Sequence, residues 1–237
     1  MTERLDKRLC ERTSFSRKEV KERIRSGRVT VNGQIVTKPE AHVSEQDTVT
    51  LDGQIIPADK HVYIMLHKPK GVVSVSSAPD DRTVLDLLPE ELRRGRLFPA
   101  GRLDRDTTGF VLITDDGDFA HRILSPRRHV TKTYLVTLRD AIRDDYEAAF
   151  REGIVLGDGT KCLSAELIRT DDPHQVIVRL REGRYHQVKR MFASLGNHVT
   201  ELHRQSIGGL ALDPALPCGA CRLLTGEEVA RIEQENV

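Results

Sequence analysis

Two carboxylates and two guanidinium groups share one short segment, Pro99-Ala-Gly-Arg102-Leu-Asp104-Arg105-Asp106-Thr107-Thr108-Gly109, between the apolar runs Arg96-Leu-Phe98 and Phe110-Val-Leu-Ile113. A carboxylate held rigidly at a sheet edge can act as a nucleophile or accept a proton, provided that a nearby cation keeps it ionised. Gly101 and Gly109 permit sharp turns at the two ends, and Thr107 and Thr108 carry hydroxyls able to satisfy loop amides. The same residues would also make an ordinary surface turn whose Asp and Arg side chains pair with each other. Spacing alone does not choose between the two.

A second charged segment runs from Gly183 to Gly196. It combines an apolar face at helical spacing (Val188, Met191, Phe192, Leu195) with Lys189 and Arg190 off that face, and Gly196 as terminator. Between residues 179 and 204, Arg179, Arg181, Arg184, Lys189, Arg190 and Arg204 stand against Glu182 and Glu201, a balance that suits a phosphate-lined cleft. His186, His198 and His203 show no convergence in the sequence and are read as surface or packing residues.

The elements that would carry these segments form a mixed α/β pattern. Val62–Leu66 reads as a buried strand and Val72–Val75 as its continuation after the turn His67-Lys-Pro-Lys-Gly71. Short helices are expected between Thr83 and Arg94. Asp115-Asp-Gly-Asp118 caps a helix containing Ala120, Ile123 and Leu124 that stops at Ser125-Pro126, and Arg122, Arg127, Arg128 and Lys132 cluster around it. Thr133–Thr137, Ala165–Ile168 and Val176–Leu180 read as strands, residues 140 to 151 as a helix, and Thr225 with Glu228 as the cap of a last one.

Residues 1 to 60 have a different grammar. Leu5 and Leu9 mark one face of a first helix, and Ser16 with Glu19 forms a capping box that opens a second, ending at Gly27. Val20 and Ile24 face the core, whereas Lys18, Lys21, Arg25 and Arg28 fall within about 80° of one another at 100° per residue, a cationic stripe. Two hairpins follow, with turns at Asn32-Gly33 and Asp52-Gly53. Pro57–His61 then reads as a linker between two domains, 1–60 and 61–237. A charge stripe can be only a solvated helix face, so pattern alone leaves an RNA-binding role open.

The 237 residues hold 37 Lys and Arg against 36 Asp and Glu, so any nucleic-acid footprint must come from local clustering rather than net charge. No apolar run approaches the about 18 residues of a membrane-crossing helix, and the N-terminus lacks a signal-peptide core, so a cytoplasmic protein without membrane association is expected. Cys218-Gly-Ala-Cys221 supplies two ligands where a zinc site takes four, and no metal is expected there.

Arg4–Ile56, with Ser16-Arg-Lys-Glu-Val20 and Gly27-Arg-Val-Thr-Val-Asn-Gly-Gln-Ile-Val36, resembles an S4 domain, a small RNA-binding module of the αL type. His67-Lys-Pro-Lys-Gly71, Gly101–Gly109, Lys132-Thr-Tyr-Leu-Val136 and Glu182–Phe192, in this order behind an S4-like domain, resemble the RsuA family of pseudouridine synthases. The resemblance covers nearly the whole chain. It implies an α+β protein: an S4 domain followed by a mixed, mainly antiparallel sheet-and-helix catalytic domain that isomerises uridine in rRNA with no cofactor.

Gly196-Asn-His-Val-Thr-Glu-Leu-His-Arg204 and Ile207-Gly-Gly209 are most similar to the branch of the family acting on 16S rRNA, at the uridine conventionally numbered 516. The 23S rRNA branch and a noncatalytic S4-type assembly factor are the alternatives. The resemblance further implies that Asp104 is the catalytic carboxylate, with Lys189 as its cation where many members carry Arg. Tyr134 would stack on the uracil, and Arg102 would fill the space left by the extruded nucleotide. Lys68, Arg105, Arg184 and Arg190 complete the expected substrate-binding set, and Asp106 is expected to pair with Arg102 or Arg105. The second helix of the S4 domain would bind rRNA, free or in a pre-ribosomal particle, and the enzyme is expected to be a monomer.

Overall fold

The structure, a computed structural model, describes residues 2–13, 15–56, 58, 61–93, 96–125 and 130–234. Its contacts divide the chain into two units, Met1–Val62 with Pro89–Leu97, and Tyr63–Leu88 with Phe98–Val237.

The first unit runs β1 (Thr2–Arg4), α1 (Leu5–Arg12), α2 (Arg17–Arg25), β2 (Val29–Val31), β3 (Gln34–Ile35), β4 (His42–Ser44), β5 (Val49–Leu51) and β6 (Gln54–Ile56). Ser16 and Glu19 form the reciprocal capping box at the start of α2. Val20 and Ile24 on one face of α2 meet Leu5, Leu9, Val29 and Val49 in a sealed core, where each buried aliphatic contributes about 1.5 to 3 kcal/mol. Four strands pair in the order β3-β2-β5-β6. The pairing of β1 with β4 carries no sequence signal; it is held by a buried arginine, Arg8, which donates to Glu3 (2.9 Å) and to the Ser44 carbonyl (2.9 Å).

The second unit contains β7 (Tyr63–Lys68), β8 (Phe98–Pro99), β9 (Thr108–Thr114), α3 (Gly117–Leu124), β10 (Lys132–Leu138), α4 (Tyr146–Glu152), β11 (Glu166–Arg169) and β12 (Gln175–Leu180). It closes with α5 (Gln187–Ser194), β13 (Val199–Ile207), β14 (Leu210–Ala211), β15 (Cys221–Leu223) and α6 (Gly226–Ile232). One nine-stranded sheet follows the path β11-β12-β10-β13-β9-β7-β15, antiparallel except for the β13–β9 pair. Helices α3 and α6 cover a core of Met65, Phe110, Leu112, Phe119, Ile123, Leu210 and Ile232.

One expected element is absent and another is shorter than expected. Val72–Val75 is not a strand: Gly71 takes φ +86° and donates to the Arg105 carbonyl, which turns the chain away, and only a Val73–Thr83 bridge remains. The helix expected from residue 140 begins at Tyr146, because the Ile142 amide is drawn to the Pro173 carbonyl at 2.9 Å. Within the segment Gly183–Gly196 the helix spans Gln187–Ser194 and carries the expected apolar face. Much of the Pro57–His61 linker, and Arg127 and Arg128 of the basic cluster, lie outside the described residues; of the same cluster, Arg122 pairs with Glu233 at 2.8 Å and Lys132 is buried.

Candidate active site

The loop between β8 and β9 is pinned on both sides of Asp104. Leu103 exchanges hydrogen bonds with Ser74, whose Oγ donates to the Leu103 carbonyl (3.1 Å) and accepts from its amide (3.2 Å). Gly71 N–H donates to the Arg105 carbonyl (2.8 Å), and Thr107 N–H closes a turn on the Asp104 carbonyl (3.1 Å). Of the two threonines, Thr108 donates to or accepts from His203 Nδ1 at 2.8 Å, whereas the buried Thr107 Oγ1 has no partner among the described residues; among these, neither hydroxyl serves a loop amide. Gly109 is obligatory where the loop enters the sheet: at φ +108°, a Cβ would lie 2.3 Å from the Arg204 carbonyl.

Lys68 is the chief brace. It is fully buried at the end of β7, and its Nζ donates to the carbonyls of Pro69 (3.0 Å), Arg105 (3.3 Å) and Thr107 (2.8 Å). All three ammonium protons are consumed by backbone, so the expected substrate contact is replaced by a structural one. Burial pushes its pKa down to about 8, against the raising influence of Asp106 and Asp104.

Helix α5 brings the cation. Val188, Met191 and Phe192 are buried on its inner face, and the Phe192 ring packs against Phe150 (5.0 Å) and Tyr146 (6.0 Å) of α4. That packing fixes the opposite edge, from which Lys189 Nζ reaches Asp106 Oδ1 at 2.5 Å and Asp104 Oδ2 at 3.4 Å. The Lys189 hydrogen bond holds the Asp106 carboxyl below its usual range. Asp106 therefore pairs with Lys189, not with Arg102 or Arg105 as expected; Arg105 pairs instead with Asp81 at 2.9 Å, and the exposed Arg102 has no ion pair among the described residues. The two acids differ in setting: the Asp106 side chain is 70% exposed and that of Asp104 is 23% exposed.

His186, read from sequence as a surface or packing residue, stands beside Asp104, its Nε2 3.5 Å from Oδ1. It occupies the left-handed region (φ +47°, ψ 35°) as the N-cap of α5. The available signal was its i, i+3 spacing to Lys189, which puts both on one side of the segment. Asp104 thus faces an ammonium and an imidazole, with its carboxylate oxygens directed at the groups that would surround a nucleophile or base.

The strand register carries the rest. Lys68 pairs with Gly109, Gly109 with Arg204, and Arg204 with Tyr134, so these four lie side by side across β7, β9, β13 and β10. Tyr134 is 8% exposed, and Lys132 lies two residues along the same face of β10. Arg204 Nε donates to the Phe110 carbonyl at 2.7 Å, while its buried Nη2 has no hydrogen-bond partner among the described residues. Lys132, buried near Arg204, has a pKa lowered to about 8 by desolvation first and by Arg204 second. Two buried cations without a carboxylate partner among the described residues give this face a positive potential, suited to an anion or to negative charge that develops during reaction.

Burying Lys132 as a cation works against folding. Its ordinary value is 10.5 and its folded value about 8, so between those limits the unfolded chain holds a proton that the folded chain has released, and stability rises with pH. Lys132→Met is expected to raise stability at pH 7 by about 1 to 4 kcal/mol and to reduce the rise between pH 8 and 10.5, as read by denaturant melts across that range. Lys68 titrates in the same window and supplies the rise that remains.

The basic segment is less free than its composition suggests. Arg184 pairs with Glu182 (3.0 Å), Arg190 with Asp158 (2.5 Å) and Arg179 with Glu166 (3.2 Å), and Arg204 is buried in the sheet. Arg184 and Arg190 still reach the surface beside α5, but Asp158 and Glu166, from outside the segment, offset part of the expected excess of charge. In the first unit, Lys18, Lys21 and Arg25 are exposed on α2 as the stripe required. Arg28 is not on the helix: α2 ends at Arg25, Gly27 takes φ +75°, and Arg28 ion-pairs with Asp52, as does Arg23. Lys21 also lines a cavity of about 360 Å³ with Arg4, Lys7 and Arg17, rimmed by Asp6 and Glu11.

The nine-stranded sheet, the pinned loop with its recessed carboxylate, and the small helix-and-hairpin unit define an RNA-modifying enzyme of known class. The RNA pseudouridylate synthase family model matches residues 62–194 and the S4 domain model residues 3–49. The chain belongs to the RNA pseudouridylate synthases, isomerases of uridine, and carries an N-terminal S4 domain. It is 46% identical over 231 residues to ribosomal small subunit pseudouridine synthase A of Escherichia coli K12, covering 97% of this chain and 99% of the relative. The enzyme of the same name from Pasteurella multocida is 44% identical over 229 residues, 96% of this chain and 98% of the relative. A crystal structure of a pseudouridylate synthase aligns over 97% of this chain and 99% of its own, with a TM-score of 0.68 at 42% identity.

Proposed function

We propose that the chain converts uridine 516 of 16S rRNA to pseudouridine, with Asp104 as the catalytic carboxylate. The observation that carries the reading is the pairing of a recessed Asp104 with Lys189 at 3.4 Å and His186 at 3.5 Å in a loop pinned from both sides. The small-subunit target is supported by the likeness to small-subunit synthases over 97% of the chain.

In the reaction the bond from uracil N1 to ribose C1′ breaks, the base turns, and C5 bonds to C1′; the C5 proton leaves and N1 gains one, so no atom or electron is lost. An ionised Asp104 can attack C1′ or remove the C2′ proton to leave a glycal, and both routes use the same oxygen atoms. Uracil carries negative charge once N1 is released, and the potential from buried Arg204 and Lys132 opposes that build-up of energy. Tyr134 stacks on the base, and the unpaired Arg102 enters the space it vacates. The target must leave its stack, at a cost of a few kcal/mol, so an unpaired uridine is preferred. The enzyme works as a cytoplasmic monomer on rRNA, free or in an assembling particle.

The S4 domain supplies the salt-dependent, phosphate-directed part of the binding affinity. Lys21→Glu with Arg25→Glu is expected to weaken rRNA binding and to reduce the slope of log affinity against log salt by about 2. An unchanged slope would remove α2 from the RNA-binding face. The substrate is tested by incubating the protein with small-subunit rRNA, large-subunit rRNA and partly assembled small subunits, then locating pseudouridine by carbodiimide-dependent reverse transcription. A new stop only in the small-subunit RNA supports the reading; a stop only in the large-subunit RNA transfers the enzyme to the 23S branch, and binding without any stop favours an assembly factor.

A further inference from the structure

We propose that Tyr185, stacked on His186, is a platform for a nucleobase flanking the target uridine in the bound RNA. The proposal rests on the reading of Asp104 given above. Of the four tyrosines, Tyr134 and Tyr146 are buried and Tyr63 donates to Asp116, whereas Tyr185 is 76% exposed. Its ring lies 3.9 Å from that of His186 at an interplanar angle of 16°, so one face is covered and the other is open. The inner ring of the stack is the one whose Nε2 lies 3.5 Å from Asp104, so the open face belongs to the surround of the carboxylate.

The turn that carries the stack is built to hold it. His186 adopts a left-handed backbone that is unfavourable for a residue with a Cβ and persists only where neighbours enforce it. Buried Gln187 donates from Nε2 to buried Glu182 (2.5 Å) and accepts from the Arg184 amide (2.9 Å), and the Gln187 amide donates to the Arg184 carbonyl (3.2 Å). Arg190 adds a weak contact to the Tyr185 carbonyl at 3.4 Å. An exposed aromatic on so constrained a turn does not contribute to the core; Arg184 precedes it in the chain and Arg190 reaches its carbonyl, each paired with an acid.

A flat ring with one open face suits single-stranded RNA. Extruding the target uridine leaves its neighbours without a stacking partner, and a ring offered at that place substitutes for it. Every base has a π-face, so the platform supplies affinity and position without reading sequence.

The test uses a synthetic small-subunit rRNA fragment centred on the target uridine and a set in which each flanking nucleotide is made abasic in turn. Tyr185→Ala is expected to weaken binding by about 5- to 150-fold. One abasic replacement should cost the wild type a similar factor and cost Tyr185→Ala nothing further, because the partner is already missing. The chain has no tryptophan, so Tyr185→Trp provides a lone fluorophore whose emission should be quenched on binding that RNA at near wild-type affinity. If Tyr185→Ala binds as tightly as the wild type, or if every abasic penalty is the same in both proteins, the platform does not exist. Pseudouridine is assayed in the same tubes: wild type that binds but forms none defeats the proposed activity, and the coupling between Tyr185 and a flanking base is read independently of it.

Discussion

Asp104→Asn is expected to lower the single-turnover rate of pseudouridine formation by about 10⁴-fold or more while RNA affinity stays within a few-fold. Asparagine is isosteric, and the backbone groups that pin Leu103, Asp104 and Arg105 are untouched by the change. What is lost is the anionic oxygen: a neutral amide neither attacks C1′ nor removes a proton from C2′. Lys189 keeps its contact with Asp106, so no ammonium is stranded and the fold should hold. The companion substitution, Asp106→Asn, removes a largely exposed ion pair worth about 1 kcal/mol or less and should leave the rate within about tenfold. Quench-flow measurement on saturating enzyme, alongside filter-binding affinities, reads both.

Lys189→Met should reduce the rate by about 10² to 10³-fold, again with the chemistry affected more than binding. Lys189 is the one cation on α5 that touches both acids of the loop, at 2.5 and 3.4 Å. Without it the two carboxylates share a turn with no counter-charge from the helix, and the Asp106 carboxyl returns toward its ordinary range. Lys189→Arg keeps the sign of the charge and offers a two-pronged contact, so it should recover most of the lost rate. Recovery separates an electrostatic role from mere packing, since methionine fills the same volume.

Local rules made part of this legible. The Ser16–Glu19 capping box, the Asn32-Gly33 and Asp52-Gly53 turns with their positive φ values, and the apolar face of α5 are determined within a few residues and stand where the pattern put them. Lys68, by contrast, reads as a surface cation until β7 and the loop are brought together and the Arg105 and Thr107 carbonyls need a donor. Arg28 and Arg190 read as free charges until Asp52 and Asp158 arrive. The Arg28–Asp52 and Arg190–Asp158 ion pairs and the Lys68–Thr107 contact span 24, 32 and 39 residues, which periodicity does not register. His186 is illegible in the sequence for a related reason: its contact with Asp104 depends on a left-handed residue at the start of α5, which helical periodicity does not register.

The competition between the two loop carboxylates offers the most direct measurement. Carbodiimide-dependent mapping of 16S rRNA would be run on wild type, Asp104→Asn and Asp106→Asn side by side, with full-length RNA and with partly assembled small subunits. One new stop, reporting position 516, should occur with wild type and Asp106→Asn and be missing with Asp104→Asn. A stop of wild-type intensity from Asp104→Asn, or one that Asp106→Asn alone abolishes, would show that the recessed carboxylate is not the one that acts.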